Sequence, residues 1–216
     1  MTEATRQALV GLRDFSTLQW YVIPILAVVF YLYTTEIKKA RSSGEWNAVI
    51  VAAAVFGADF FNESWNGWFM VLSGRSALWT TPGPTALRTT VGWNIEIMFM
   101  FAILGFIFYH SLSNKPKARL LGVPEKWFFA ILYSLICVAV ECCLNSGGLL
   151  VWEYPFWNRS VAGLPLIFLV GYFWFFAWAI FVLGRKTMAR KIGFAALPYA
   201  AAIVMDLVAL ALGWRY

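Results

Sequence analysis

From Phe15 to Thr35 the chain runs without one charged side chain, and five more apolar stretches of similar length follow, near Asn47 to Leu72, Val91 to Ser113, Trp127 to Gly147, Leu164 to Leu183 and Phe194 to Trp214. About 20 apolar residues are what a helix needs to cross the hydrocarbon layer, where backbone polar groups must satisfy one another. A β-barrel would show ~10-residue segments of alternating polarity, and these runs are continuous. With 61% apolar and only 13% charged residues, a soluble globular domain is excluded. The expected fold is all-α: one polytopic membrane domain over 1–216, a bundle of about six transmembrane helices. Pro24 and Pro198 fall inside two of these spans as possible kink sites.

The formal net charge of +6 would suit a nucleic-acid partner only if the basic residues formed one patch. They are instead divided between the loops on the two sides. Lys38, Lys39, Arg41, Lys115, Lys117, Arg119, Lys126, Arg185, Lys186, Arg190 and Lys191 fall on one side; Arg6, Arg13, Arg75, Arg88, Arg159 and Arg215 fall on the other. The richer side is expected to face the cytoplasm, which places both termini outside it, in a bacterial inner membrane or its equivalent. The expected partners are the bilayer and a hydrophobic small molecule, with no nucleic acid. Thr2 to Asp14 is mildly amphipathic and is read as an interfacial segment, 1–14, without a cleavable signal. Cys137, Cys142 and Cys143 contain no CxxC pair and read as small core residues.

The residues that carry chemistry are the acids left within the spans: Asp59, Glu63, Glu96, Glu141 and Asp206. An ionised Asp at a helix centre costs roughly 2.5 to 3.5 kcal/mol to insert, and no Lys or Arg lies within a span to neutralise these five. Asp59, Asn62, Glu63 and Asn66 recur at i, i+3, i+4, i+7, so they share one helix face; Ser134, Cys137, Glu141 and Asn145 form a similar stripe. Comparing depths along alternating helices predicts that Glu63, Glu96, Glu141 and Asp206 converge in the outer half, with Asp59 deeper. The pocket would lie beneath two aromatic loops, Trp79-Thr-Thr-Pro-Gly-Pro84 and Trp152-Glu-Tyr-Pro-Phe-Trp-Asn158.

A carboxylic acid in apolar surroundings keeps its proton and delivers it, and its carboxylate and nearby indole faces then stabilise positive charge. The pattern therefore suits acid-initiated cyclisation, isomerisation or hydration of an isoprenoid or other lipid. Glu63 is the expected donor and Asp206 its partner or final base. Glu141 and Glu96 would stabilise the cation, with Asp59 a further catalytic acid; Asn62, Asn66, Asn94 and Asn145 would orient the acid or bind a substrate oxygen, and Trp65, Trp93, Trp152 and Trp157 would form the wall. The alternative is a small transporter or binding protein whose carboxylates take a proton, a metal ion or a cationic solute. No organic cofactor is expected. Carboxylates and amides suit Mg or Mn, but no metal is assigned, and the lone His110 argues against His-rich metal sites.

Asp59-Phe-Phe-Asn-Glu-Ser-Trp65 and Val204-Met-Asp-Leu207 resemble motifs of the small integral-membrane terpene cyclases of fungal meroterpenoid and indole-diterpene pathways and their bacterial relatives. That resemblance implies protonation of an epoxide or alkene by Glu63 and Asp206, cyclisation of a polyprenyl chain, and no metal. The departures are six spans instead of seven, and Asn62 where that family has a Trp before its Glu. The stretch from Glu141 to Pro165 is similar to membrane carotenoid hydratases, which also implies isoprenoid substrates.

Overall fold

The computed structural model describes residues 1–113, 115 and 117–216, and it is mostly helical. In order, the main elements are α1 (Glu3–Val10), α2 (Val22–Ser43), α3 (Asn47–Ser73), β1 (Trp79–Thr80), α4 (Ile95–Ser111), β2 (Arg119–Leu120), β3 (Val123–Pro124), α5 (Glu125–Ser146), β4 (Val151–Trp152), α6 (Gly163–Leu166), α7 (Trp174–Leu183) and α8 (Met188–Ala211). A π-helical segment, Ile167–Phe173, joins α6 to α7, so the three form one rod from Gly163 to Leu183. Four helices are long and apolar enough to cross a membrane: α3, α5, the α6–α7 rod and α8; α4 is a shorter apolar helix.

The first apolar run does not become one helix. Asp14 accepts from the Ser16 amide and hydroxyl, which ties Phe15–Thr17 into a 3-10 turn. Helix α2 starts only at Val22, with Pro24 in its first turn, where the missing amide costs nothing; Pro24 therefore marks a start and not a kink. At its other end α2 runs on past Thr35 to Ser43 and stops at Gly44, whose φ of 78° closes a left-handed cap.

Helix α3 is the axle. In its apolar window 67% of residues are buried, against 22% in α5 and α8, so α3 sits inside the bundle while the other two present faces to lipid. Small residues permit this packing: Gly57 lies under the Tyr199 ring of α8, Gly67 under Tyr216, and Gly105 of α4 abuts the α3 backbone at Ala52. The apolar core gathers Val51, Val55, Phe101, Phe108, Phe175 and Phe176 from α3, α4 and α7. Outward-facing Leu135, Val140, Ile192, Val204, Leu207 and Leu210 leave α5 and α8 an apolar exterior.

At one end the loops after α3 and α5 fold into a cap. Its frame is the β1–β4 ribbon, in which Trp79 pairs with Trp152. Buried Arg88 pins the cap by donating to the carbonyls of Thr81 (2.8 Å), Gly83 (2.7 Å) and Ala8 (3.3 Å); burial lowers its pKa, and the charge of Glu96 opposes that shift. Helix α1 packs on this cap through Thr5 and Ala8, and the Thr2 hydroxyl donates to Glu153 (2.6 Å).

Candidate functional site

The helical spacing on α3 turns Asp59, Asn62 and Glu63 toward α5 and the rod, and there they line a cavity of about 40 Å3 with Glu141. Its other walls include Trp79, Phe101, Trp157, Gly171, Tyr172 and Phe175. The π-helical turn delivers Gly171 and Tyr172; such single-turn widenings of a helix are frequent at functional sites.

Each of the three acids is held by an indole N–H. Trp93 donates to Asp59 at 3.0 Å, Trp79 to Glu63 at 2.8 Å and Trp152 to Glu141 at 2.8 Å. Trp79 and Trp152 are direct partners across the ribbon, so their side chains leave it on the same face and reach two different helices. Thr90 adds a long bond to Glu63 (3.5 Å), and the Tyr172 hydroxyl neighbours Glu141. No Lys, Arg or His among the described residues bonds any of the three. One cavity-lining group has no partner among the described residues: the Nε1 of fully buried Trp157. A donor shut away without an acceptor is costly, and a bridging water supplies one.

The expected meeting of four acids from four helices is corrected here. Glu63 and Glu141 converge, with Asp59 beside them, but Glu96 and Asp206 lie elsewhere. Glu96, at the start of α4, accepts from Tyr21 (2.5 Å), Thr85 (2.5 Å) and the Ala86 amide (2.9 Å), and so fastens the cap to the helix. Asp206 accepts from Tyr216 (2.6 Å), whose ring packs over Gly67 of α3 away from the cavity lining, and burial and that carboxylate push the tyrosine hydroxyl well above its ordinary pKa. Depth along a helix was comparable from sequence; azimuth was not.

The other expected positions divide in the same way. Asn94 is the N-cap of α4, accepting from the Ile97 amide at 2.9 Å, and does not face the cavity. Asn94→Ala should therefore lower stability by about 1 kcal/mol, read as a melting shift in detergent, without altering any property of the cavity. Asn66 accepts from the Leu78 amide and donates to the Trp79 carbonyl (both 2.8 Å), which sets β1 at the height where its indole meets Glu63. Asn145 donates to the Leu150 carbonyl and accepts from Arg159. Trp65 packs on Phe69, outside the cavity lining. Trp157 is a wall residue, stacked on Trp79 at 5.6 Å.

Sequence reading missed Trp79 and Tyr172 as site residues. Trp79 opens one of the two aromatic loops expected above the pocket, but no local pattern singles out its indole as the donor to Glu63. Tyr172 sits in the Phe/Trp run from Tyr172 to Trp178, which reads as lipid-facing or core, and its hydroxyl was the one signal available. Among the described residues no group of three or more His, Cys, Asp or Glu side chains is placed to hold a metal ion. His110 lies far from the cavity, 3.1 Å from Glu36, and all three cysteines are free.

A protein of Archaeoglobus fulgidus, described as an uncharacterized protein, is 41% identical over 191 residues, covering 88% of this chain and 87% of that one. No solved structure matches. Neither this relative nor the matched family links the chain to terpene cyclases. The family model spans residues 2–211, nearly the whole chain, so the protein belongs to an uncharacterized membrane protein family and is integral to the membrane.

Proposed function

We propose that this protein takes up and passes on protons at its carboxyl cavity, as a small membrane transporter or proton-binding protein. The observation that carries this reading is the enclosure of Asp59, Glu63 and Glu141 in about 40 Å3 with only neutral donors around them. Three buried carboxyls in one small pocket without a cation cannot all be ionised, so protons belong to the site. A water needs roughly 10 to 15 Å3 of such space, which gives room for about three or four. The unpaired Trp157 N–H and the carboxyls themselves would hold them, with Asn62 in the same lining. In this reading α2 and α4 complete a six-span bundle, and the basic loops face the cytoplasm.

The experiment is proton uptake into vesicles containing the purified protein and a trapped pH-sensitive dye, with an imposed pH gradient. Uptake well above protein-free vesicles is expected, and Asp59→Asn and Glu141→Gln should each slow it several-fold. Uptake equal to the empty vesicles, with the protein shown folded, would remove the proposal.

A second reading, acid-initiated chemistry on an isoprenoid or other lipid with Glu63 as donor, is favoured by one other observation. An apolar groove of about 630 Å3 is lined partly by Phe56 and Tyr199, and Phe56 packs 5.9 Å from the Trp93 indole that holds Asp59. Drug-sized and larger ligands occupy roughly 300 to 1,000 Å3, which fits the groove and not the carboxyl cavity. A substrate there would reach the acids only if Trp93 moved. With Asp206 remote, the partner of Glu63 in this reading becomes Asp59 or Glu141. Turnover of a lipid without proton flux would select this reading.

A further inference from the structure

The groove has a chemical gradient along its length that goes beyond the proton-handling reading and does not depend on it. Its walls are Val29, Tyr33 and Ile37 of α2, Phe56 of α3, Phe99 of α4 and Tyr199 of α8, with further apolar side chains between them. Polar groups in this lining are already satisfied. Tyr33 donates to the Ala102 carbonyl (3.0 Å), Tyr199 to the Ala53 carbonyl (2.8 Å) and Thr34 to the Phe30 carbonyl (2.7 Å). What the groove offers a ligand is therefore hydrocarbon contact alone. From Val29 to Ile37 it follows α2 for roughly 12 Å, at 1.5 Å per residue.

One helical turn past Thr34 and Ile37, on the same face of α2, stand Lys38 and Arg41. Both are exposed, and among the described residues neither makes a salt bridge. The acid of that stretch, Glu36, is engaged by Lys39 (2.7 Å) and His110 (3.1 Å), so it does not cancel them. An apolar trough thus ends, one turn further along α2, at two exposed positive charges. We propose that the groove between α2, α3, α4 and α8 holds the hydrocarbon chain of an anionic phospholipid whose phosphate rests on Lys38 and Arg41. The chain would end against Phe56 and Tyr199, one aromatic layer from Asp59.

The test is lipid retention by the full-length protein, read by native mass spectrometry after detergent exchange in mixtures of phosphatidylglycerol and phosphatidylcholine. Two basic contacts should favour phosphatidylglycerol about 30-fold. The double variant Lys38→Gln/Arg41→Gln should bring that preference close to parity while still holding lipid. Ala53→Phe, which fills the trough, should lower retention of both lipids; if it does not fold, Ile37→Trp at the mouth makes the same test. Equal retention of the two lipids by the unaltered protein would overturn the headgroup assignment, and undiminished retention after filling would overturn the groove. Recovery of a polyprenyl phosphate in place of phospholipid from cell membranes would overturn the chosen occupant.

Discussion

Glu63→Gln is expected to cut proton uptake in vesicles by roughly 100-fold, the lower end of what a positioned proton-transfer group contributes. The substitution keeps the volume of the side chain. Its amide oxygen accepts the Trp79 N–H where the carboxyl oxygen does now, at 2.8 Å, so the cap should stay in register. Stability should accordingly change by less than about 1 kcal/mol, in keeping with a near-isosteric swap. Trp79→Phe is the complementary change. It leaves the titrating group in place but strips Glu63 of its short bond, leaving the 3.5 Å contact with Thr90. A buried acceptor deprived of its donor costs about 1 to 3 kcal/mol, so this variant should melt earlier while still moving protons. Should Glu63→Gln take up protons at the unaltered rate, Glu63 is a structural acceptor and the proton site must lie with Asp59 and Glu141.

The second large effect is expected at the crossing of α3 and α4. A Cβ built on Gly105 collides with Ala52 Cα and stands 2.9 Å from the Val51 carbonyl oxygen, and backbone cannot step aside as a flexible side chain can. Gly105→Ala should destabilise the protein by about 1 to 3 kcal/mol, the range of overpacked cores. Gly193→Ala provides the contrast, because no atom lies within 4 Å of its added methyl; in a helix interior it should stabilise by roughly 0.5 to 1 kcal/mol. Unfolding in mixed micelles measures both, and equal effects would mean the two helices do not approach as closely as described. The consequences extend beyond stability. Helix α4 is a partition, with Ile97 and Phe101 on the carboxyl cavity and Met98, Phe99 and Ala102 on the groove, so displacing it alters both sites.

Much of this was legible in the sequence where the relevant physics is local or one-dimensional. Apolar runs announce membrane helices because the bilayer leaves the backbone no other donors and acceptors. The i, i+4 spacing of Asp59 and Glu63 ensures that they share a face whatever α3 packs against. Helix ends were harder. The run from Phe15 looks uniform, yet Asp14 and Pro24 together delay the helix to Val22, through a side-chain bond and a ring that tolerates only the first turn.

The sequence by itself determined that the chain is a membrane bundle and that α3 carries a polar stripe needing a buried partner. Which partner it finds was decided by the tertiary structure. Glu141, Glu63, Glu96 and Asp206 looked equivalent as lone acids in apolar runs. The rotation of each helix about its axis, fixed by contacts such as Gly105 on Ala52 and Gly67 under Tyr216, turns the first two inward and the others toward Tyr21 and Tyr216. The indole donors came from the cap, where pairing of Trp79 with Trp152 joins residues far apart in the chain. Such long-range pairings depend on how the helices assemble, and no local pattern of residues encodes them.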